Sequence, residues 1–371
     1  MQDKPTILRA VTAEQLSTAA GTEAIAQAAD ILRAGGTVAF PTETVYGLGA
    51  NALDAASVAK IFAAKQRPFW DPLIVHVTDA AMLARVVAEI PAAAQRMIDA
   101  FWPGPLTLLL PRNAVVPAAV TAGRELVGVR MPAHPVAQAL IAACNLPIAA
   151  PSANRFGHIS PTTAAHVLDD LGGRIDMVLD GGPTTHGVES TVLEVRETDA
   201  VVYRPGAISI EALQAVAGNV FLYKEQSHYQ VPSFPSSQGM SAPESLPSPG
   251  VGMRHYAPRA RLVLVDAAAL QDAEIESAWV RTVQHAQNQM PKKEDLCGVL
   301  LPHHWPLPEE FRGLRFDWGS WSNPAELAQR LYAGLRALDS MGAAVIVCPV
   351  PGGVGIGAAI RDRILKAARE D

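Results

Sequence analysis

Residues 224–250 are the part of this chain that most restricts its folding. Between Lys224 and Gly250 stand seven Ser and five Pro, with few large aliphatic side chains. Such a stretch cannot bury enough apolar surface to offset the entropy lost on ordering it. It reads as a linker, and it leaves two regions that must each build a core. The expected division is 1–222, a linker at 223–258, and 259–371. A chain of 371 residues is in any case longer than one ordinary core supports.

With 49 % hydrophobic and 18 % charged residues, both regions can pack as globular layers. No apolar run reaches the roughly 18–20 residues that cross a bilayer, and Met1–Thr6 lacks an apolar signal core. A cytoplasmic protein without a membrane partner is expected. Cys144, Cys297 and Cys348 are far apart and odd in number, so they outline neither a disulfide framework nor a zinc site. The net charge of −6 argues against a broad electrostatic grip on nucleic acid.

The first region alternates helices and strands at irregular spacing. Helices are expected over 22–34, after Asp54 as N-cap, over 134–144 and over 162–171. Val58, Ile61 and Phe62 fall on one face of the second. Strands are expected at 37–40, 73–77, 106–110, 126–131, 147–150, 177–179, 191–195 and 201–204. Some gaps hold a helix and others only a turn, which predicts a mixed, twisted sheet with helices on its faces. In the second region, strands at 261–265, 297–301, 314–316 and 343–348 alternate with helices over 267–288, 323–340 and 357–369. That pattern predicts a small α/β layer of Rossmann-like character.

Polar residues gather where the first region's strands end. Phe40–Gly49 leads a hydrophobic strand into what reads as a turn of hydroxyls and glycines, with Thr44 and the amides near Gly47 and Gly49 free to meet a ligand. Thr and Gly also build plain tight turns. Lys65, Arg67 and Asp71 follow at the end of the Asp54 helix. Cations there can simply complement the helix dipole, although Arg67 is locked before Pro68 and Phe69-Trp70. His76 lies inside an apolar strand, where a satisfied core histidine is the commoner case. Arg130 ends another strand. A buried cation needs a partner, either a substrate carboxylate or an internal Asp or Glu. Ser152 and Asn154, then Ser160, Glu189-Ser190 and Tyr203-Arg204, stand beyond or beside further strands. Ligands sit outside strand ends in open α/β sheets, so these groups together describe one cleft lined with Lys, Arg, Ser and Asn.

Absent motifs narrow the chemistry. The chain has no GxxxxGK[ST] loop, no HExxH and no Gly-x-Ser-x-Gly turn. Gly353–Ala358 matches the GxGxxA dinucleotide fingerprint, yet the chain ends at Asp371, before a ribose-binding acid could follow. It is read as a glycine-rich turn with close helix packing.

Taken in order, Phe40–Gly49 (FPTETVYGLG), Lys65–Pro68 (KQRP), Pro72–Val77 (PLIVHV), Trp102–Leu110 (WPGPLTLLL), Val129–Pro135 (VRMPAHP), Ala150–Asn154 (APSAN), Glu189–Val192 (ESTV) and Tyr203–Ser209 (YRPGAIS) resemble the threonylcarbamoyl-AMP synthase family in its two-domain form. The resemblance covers most of residues 20–215. Ser248–Pro258 is similar to the family's junction ahead of a smaller C-terminal domain. The resemblance implies a YrdC-like sheet, and a reaction in which L-threonine, bicarbonate and ATP with Mg2+ give L-threonylcarbamoyl-adenylate and pyrophosphate. No protein side chain can be named for the metal. The product would pass to a tRNA threonylcarbamoyl transferase machinery, with weak or no direct tRNA binding by this chain.

By the same match the catalytic tetrad is Lys65, Arg67, Ser152 and Asn154. Threonine would be surrounded by Thr44, His76, Arg130, Ala150 through its backbone, and Ser190. The nucleotide would meet Arg67, Asp71, Leu126, Ser152, Ser160, Arg204, His255 and Tyr256, with His255 or Tyr256 closing over the site. Leu126 stands where the family often has a hydroxyl, which leaves main-chain contact. Val251-Gly252-Met253 also departs from the usual Met and aromatic residue. The alternative is an RNA-binding module without turnover. The carbamoyltransferase type of hydrogenase-maturation protein would need zinc-finger cysteine pairs, which three scattered cysteines exclude.

Overall fold

The structure is a computed structural model, and it describes residues 5–223, 246, 248, 256–267, 272–290, 292 and 295–369. Among these residues eleven strands form one mixed sheet. Their spatial order is Ile7–Ala10, Met177–Asp180, Val38–Phe40, Gly47–Asn51, Ile148–Ala149, Ile74–His76, Leu126–Arg130, Leu106–Pro111, Thr191–Val195, Ala200–Arg204 and Val220–Leu222. Parallel and antiparallel neighbours alternate irregularly. This is the mixed sheet expected from the uneven spacing of the strands.

The helices form where local signals place them, with shifted ends. Asp54 accepts the amides of Ala56 and Ser57 and starts the helix Ala55–Lys65. Val58, Ile61 and Phe62 are buried on its inner face. Gln66 stops it in the left-handed region at φ 54°. Beyond that reversal the Arg67 amide donates back to Phe62 O at 3.0 Å, and the Arg67 side chain lines the cleft. The first helix begins at Ala19 rather than at residue 22, because Thr18 caps it by accepting Gly21 N–H. Ile7–Ala10, Ala80–Val86, Ala92–Phe101, Ile210–Ala217 and Val220–Leu222 are further elements beyond those expected.

One expectation is overturned at the centre of the sheet. Gly47 and Gly49 do not form a turn; Gly47–Asn51 is an antiparallel strand against Val38–Phe40, with Gly47 opposite Phe40. A Cβ on Gly49 would lie 2.8 Å from both Ile148 and Phe40. The glycine serves close strand packing, and the connecting turn is Pro41–Tyr46.

The C-terminal residues form four parallel strands in the order Arg261–Asp266, Ala343–Val350, Leu296–Pro302, Leu314–Gly319. Helices Asp272–Asn288, Pro324–Ser340 and Gly357–Ala367 cover them. The helix expected from 267 begins at Asp272; residues 268–271 lie outside the described ones, as does most of the 224–255 linker stretch. The glycine-rich segment 353–358 is the turn into the last helix. Val45, Ile159 and Val188, from loops between the strands of the large sheet, share an apolar cluster with Tyr256, Leu327 and Tyr332. The two sheets are therefore joined by a common core.

Candidate active site

The turn after Val38–Phe40 meets its own hydrogen-bond needs. Thr42 Oγ1 accepts the amides of Thr44 and Val45 and donates to Val45 O at 2.6 Å. A hydroxyl that closes a local turn in this way holds the backbone without a regular ladder. It places Thr44 Oγ1 to accept from Arg130 Nη1 at 2.9 Å.

Arg130 and His76 sit side by side because strands Leu126–Arg130 and Ile74–His76 pair in parallel with these two residues in register. Arg130 Nε donates to Gly104 O at 3.2 Å, and Nη2 forms an ion pair with Glu43. Of the partners weighed for this arginine, an internal acid is thus present, and the guanidinium still lines the cleft. Burial would raise the Glu43 pKa, but the Arg130 charge outweighs it and holds the carboxyl below its ordinary value. His76 is 4 % exposed. Burial, then the Arg130 charge, push its pKa down to about 3. It is neutral near pH 7, and its Nδ1 has no hydrogen-bond partner among the described residues. A neutral acceptor beside a cation suits a ligand that carries both an acid and an N–H or O–H donor.

Lys65 and Arg67 part company despite their spacing. Lys65 is 1 % exposed, and its Nζ donates to the carbonyls of Ser152, at 2.6 Å, and Asn154. Burial, then the neighbouring Arg67 charge, push its pKa well down. The ammonium ties the helix end to the Pro151–Asn154 segment from beneath the cleft. Asn154 continues the tie by donating to Arg155 O and His158 O, both at 2.8 Å. Arg67 faces the cleft itself. It pairs with Asp71 at 2.8 Å, donates to Asp71 O and Pro72 O, and lies over Phe156 at 5.9 Å. Burial raises the Asp71 pKa against the pull of Arg67.

The opposite wall is Ser190 and Arg204. Arg204 donates to Ser190 O at 3.2 and 2.9 Å and to its Oγ at 3.1 Å. Thr107 Oγ1 holds the same hydroxyl at 2.8 Å. The two segments touch closely: a Cβ on Gly206 would lie 2.3–2.5 Å from Thr191 N, Ser190 C and Glu189 O. Among the described residues no carboxylate is close enough to Arg204 to form an ion pair, although its charge acts on Glu189, which lines the same cleft.

These walls line one concave cleft that opens to solvent. Thr44, Arg67, His76, Arg130, Ala150, Ser152, Ser190, Arg204 and Tyr256 all line it. Lys65, Asp71 and Asn154 lie behind the lining. Leu126 begins the strand that Arg130 ends, pairs with Pro111 and is not part of the wall. Ser160 is fully buried and donates to Glu189 at 2.6 Å. His255 lies outside the described residues. Glu43 and Glu189 stood inside motifs already singled out, but nothing local showed what they would pair with. Tyr332 and Arg363, which reach Glu189 from the C-terminal layer, carried no sequence signal. Among the described residues no group of three His, Cys, Asp or Glu could cage a metal, and no helix is long and apolar enough to cross a membrane.

Comparison with known proteins finds matches to both parts of the chain. The Sua5/YciO/YrdC family model, described as "Telomere recombination", matches residues 30–206, and "Threonylcarbamoyl-AMP synthase, C-terminal domain" matches 208–369. The chain is 38 % identical over 341 residues to a threonylcarbamoyl-AMP synthase of Pyrococcus abyssi, covering 92 % of this chain and 93 % of that protein. It is 41 % identical over 352 residues to a threonylcarbamoyl-AMP synthase of Bacillus subtilis, covering 93 % and 92 %. The crystal structure of P. abyssi Sua5 complexed with L-threonine superposes with a TM-score of 0.85 at 36 % identity, covering 98 % of each chain. With both halves matched and the relatives aligned along most of their length, the chain belongs to the threonylcarbamoyl-AMP synthase family, in the form that carries a YrdC-like unit followed by a C-terminal domain.

Proposed function

We propose that this cleft condenses L-threonine, bicarbonate and ATP into L-threonylcarbamoyl-adenylate. The observation that carries the reading is the convergence of Arg67, Arg130 and Arg204 on one cleft, beside the neutral His76 and the hydroxyls of Thr44, Ser152 and Ser190. A carboxylate, a carbamate and a triphosphate repel one another, and fixed cations lower the cost of bringing them together.

The amine of threonine, once neutral, adds to the carbon of CO2 or bicarbonate and loses a proton; from bicarbonate an oxygen leaves as water. A carbamate oxygen then attacks the α-phosphorus, and pyrophosphate departs. Arg130 forks onto the threonine carboxylate. His76 accepts a hydrogen bond from the substrate. Arg67 and Arg204 meet charge as it grows on the phosphoryl oxygens and the leaving group. Lys65 acts by holding the Pro151–Asn154 segment, which presents Ser152. No protein nucleophile is needed, and rate comes from positioning and electrostatics. Mg2+ would arrive with the triphosphate, whose oxygens and waters supply most of its ligands. The division at 223–258, a cytoplasmic setting and delivery of the product to a tRNA-modifying transferase belong to the same reading.

Incubating the purified chain with ATP, L-threonine and bicarbonate should yield a species with the mass of threonylcarbamoyl-adenylate, together with pyrophosphate. Tight, salt-sensitive tRNA binding with no such product would replace this reading by the RNA-binding one.

A further inference from the structure

The C-terminal layer touches the cleft through one buried cluster. Arg363, on the last helix, is fully buried. Its Nε donates to Glu189 at 2.6 Å and its Nη2 to Pro205 O at 3.0 Å. Tyr332 donates to the same carboxylate at 2.8 Å. Arg363 thus ties Glu189 to Pro205, while Arg204, the residue before Pro205, ties itself to Ser190, the residue after Glu189. The two arginines cross-link the same pair of segments from opposite sides, one from the C-terminal layer and one from within the cleft.

The same cluster holds Tyr256. Its ring stacks on Tyr332 with centroids 5.8 Å apart, and the Arg363 guanidinium lies 5.0 Å from its centre. Tyr256 has φ 64°, a conformation that costs a residue with a bulky side chain on the order of 1–3 kcal/mol. A strained residue persists where its surroundings over-determine it. Here those surroundings are Arg363 and Tyr332, and the ring they hold forms part of the cleft wall.

We infer that Arg363 and Tyr332 are positioning residues for the nucleotide half of the site: the C-terminal layer aims Arg204 and Tyr256, and thereby sets the affinity for ATP. The inference rests on the proposed reaction and deepens it. On the threonine side, Arg130 is anchored apart from the clamp by Glu43, Thr44 and Gly104, whereas Ser190 is held both by Thr107 and by Arg204. Because the threonine carboxylate is assigned to Arg130, the clamp should act mainly on the nucleotide and change threonine affinity little, a difference that a merely structural contact would not produce.

The test uses the full chain with Arg363→Lys and Tyr332→Phe. Lysine can still meet Glu189, but it cannot also donate to Pro205 O while lying flat over Tyr256. Phenylalanine keeps the stack on Tyr256 and removes one hydrogen bond. Steady-state pyrophosphate release is measured with each substrate varied, and ATP binding without threonine by calorimetry. Arg363→Lys should raise the KM and Kd for ATP about tenfold, the weight of one charge-assisted contact, with threonine KM within about twofold of the parent. Tyr332→Phe should shift the same ATP constants in the same direction by less. ATP constants at the parental value in either folded variant would overturn the inference. So would a parallel fall of kcat and both affinities that tracks the folded fraction. Should Arg363→Lys not fold, Tyr332→Phe decides alone. A parent chain that makes no product would instead strike the proposed reaction, and the calorimetric ATP constants would still read the clamp.

Discussion

Glu189→Gln tests the buried junction between the two layers in a way that can be worked from the structure. The carboxylate accepts from Ser160 at 2.6 Å, from Tyr332 at 2.8 and 3.1 Å, and from Arg363 at 2.6 Å. Burial alone would raise its pKa. The charges of Arg363 and Arg204, with the Ser160 and Arg363 hydrogen bonds, draw it from 4.5 down to about 2. A depressed carboxyl stabilises the fold above its unfolded pKa, and that stability is lost as pH falls through the folded value. The contribution at neutral pH is on the order of 3 kcal/mol, of which about 2 kcal/mol is gone by pH 3. The glutamine variant cannot ionise and leaves Arg363 short of its main partner, so it should be less stable than the parent by about 3 kcal/mol at pH 7. Because the parent alone loses this contribution in acid, the gap should narrow to roughly half or less at pH 3. Urea unfolding of both proteins at pH 7, 4 and 3, followed by tryptophan fluorescence, reads the gap; Trp318 is fully buried in the shared core. A gap that stays constant across this range, or widens in acid, would refute an ionised Glu189 paired with Arg363.

Three further outcomes follow from the cleft. Arg67→Ala should raise the barrier for threonine-dependent pyrophosphate release by about 2–4 kcal/mol; normal turnover in the folded variant would remove the electrostatic argument. Lys65→Met takes away both donors to the Ser152 and Asn154 carbonyls, so turnover should collapse and stability should fall by about 1–3 kcal/mol. A destabilised but fully active Lys65→Met protein would show that the Pro151–Asn154 geometry is not what the reaction requires. Arg130→Ala should chiefly raise the KM for threonine, since it removes the fork held by Glu43, Thr44 and Gly104, and an unchanged threonine KM would contradict the role given to it.

What the sequence determined by itself was whatever acts over a few residues. Asp54 announces its helix, and the spacing of Val58, Ile61 and Phe62 names the buried face, because capping and helical periodicity reach only three or four positions along the chain. The irregular spacing of apolar runs likewise foretold a mixed sheet, while of the polar residues noted near strand ends Arg67, Arg130, Ser152, Ser190 and Arg204 line one cleft and Lys65 and Asn154 do not. The same local reasoning misread Gly47 and Gly49 as a turn, since glycine's lack of a side chain serves a bend and a tight strand contact equally, and only Phe40 and Ile148 settle which. Tertiary structure alone brought Arg130 beside His76, through a parallel register, and set Glu43 against that arginine. It also turned Lys65 away from the cleft toward carbonyls 87 and 89 positions on. Glu189 met Arg363 across 174 residues. Ion pairs of that kind are chosen by burial: a charge removed from water must be matched by whatever group the packed chain brings within reach, and the identity of that group is a property of the fold.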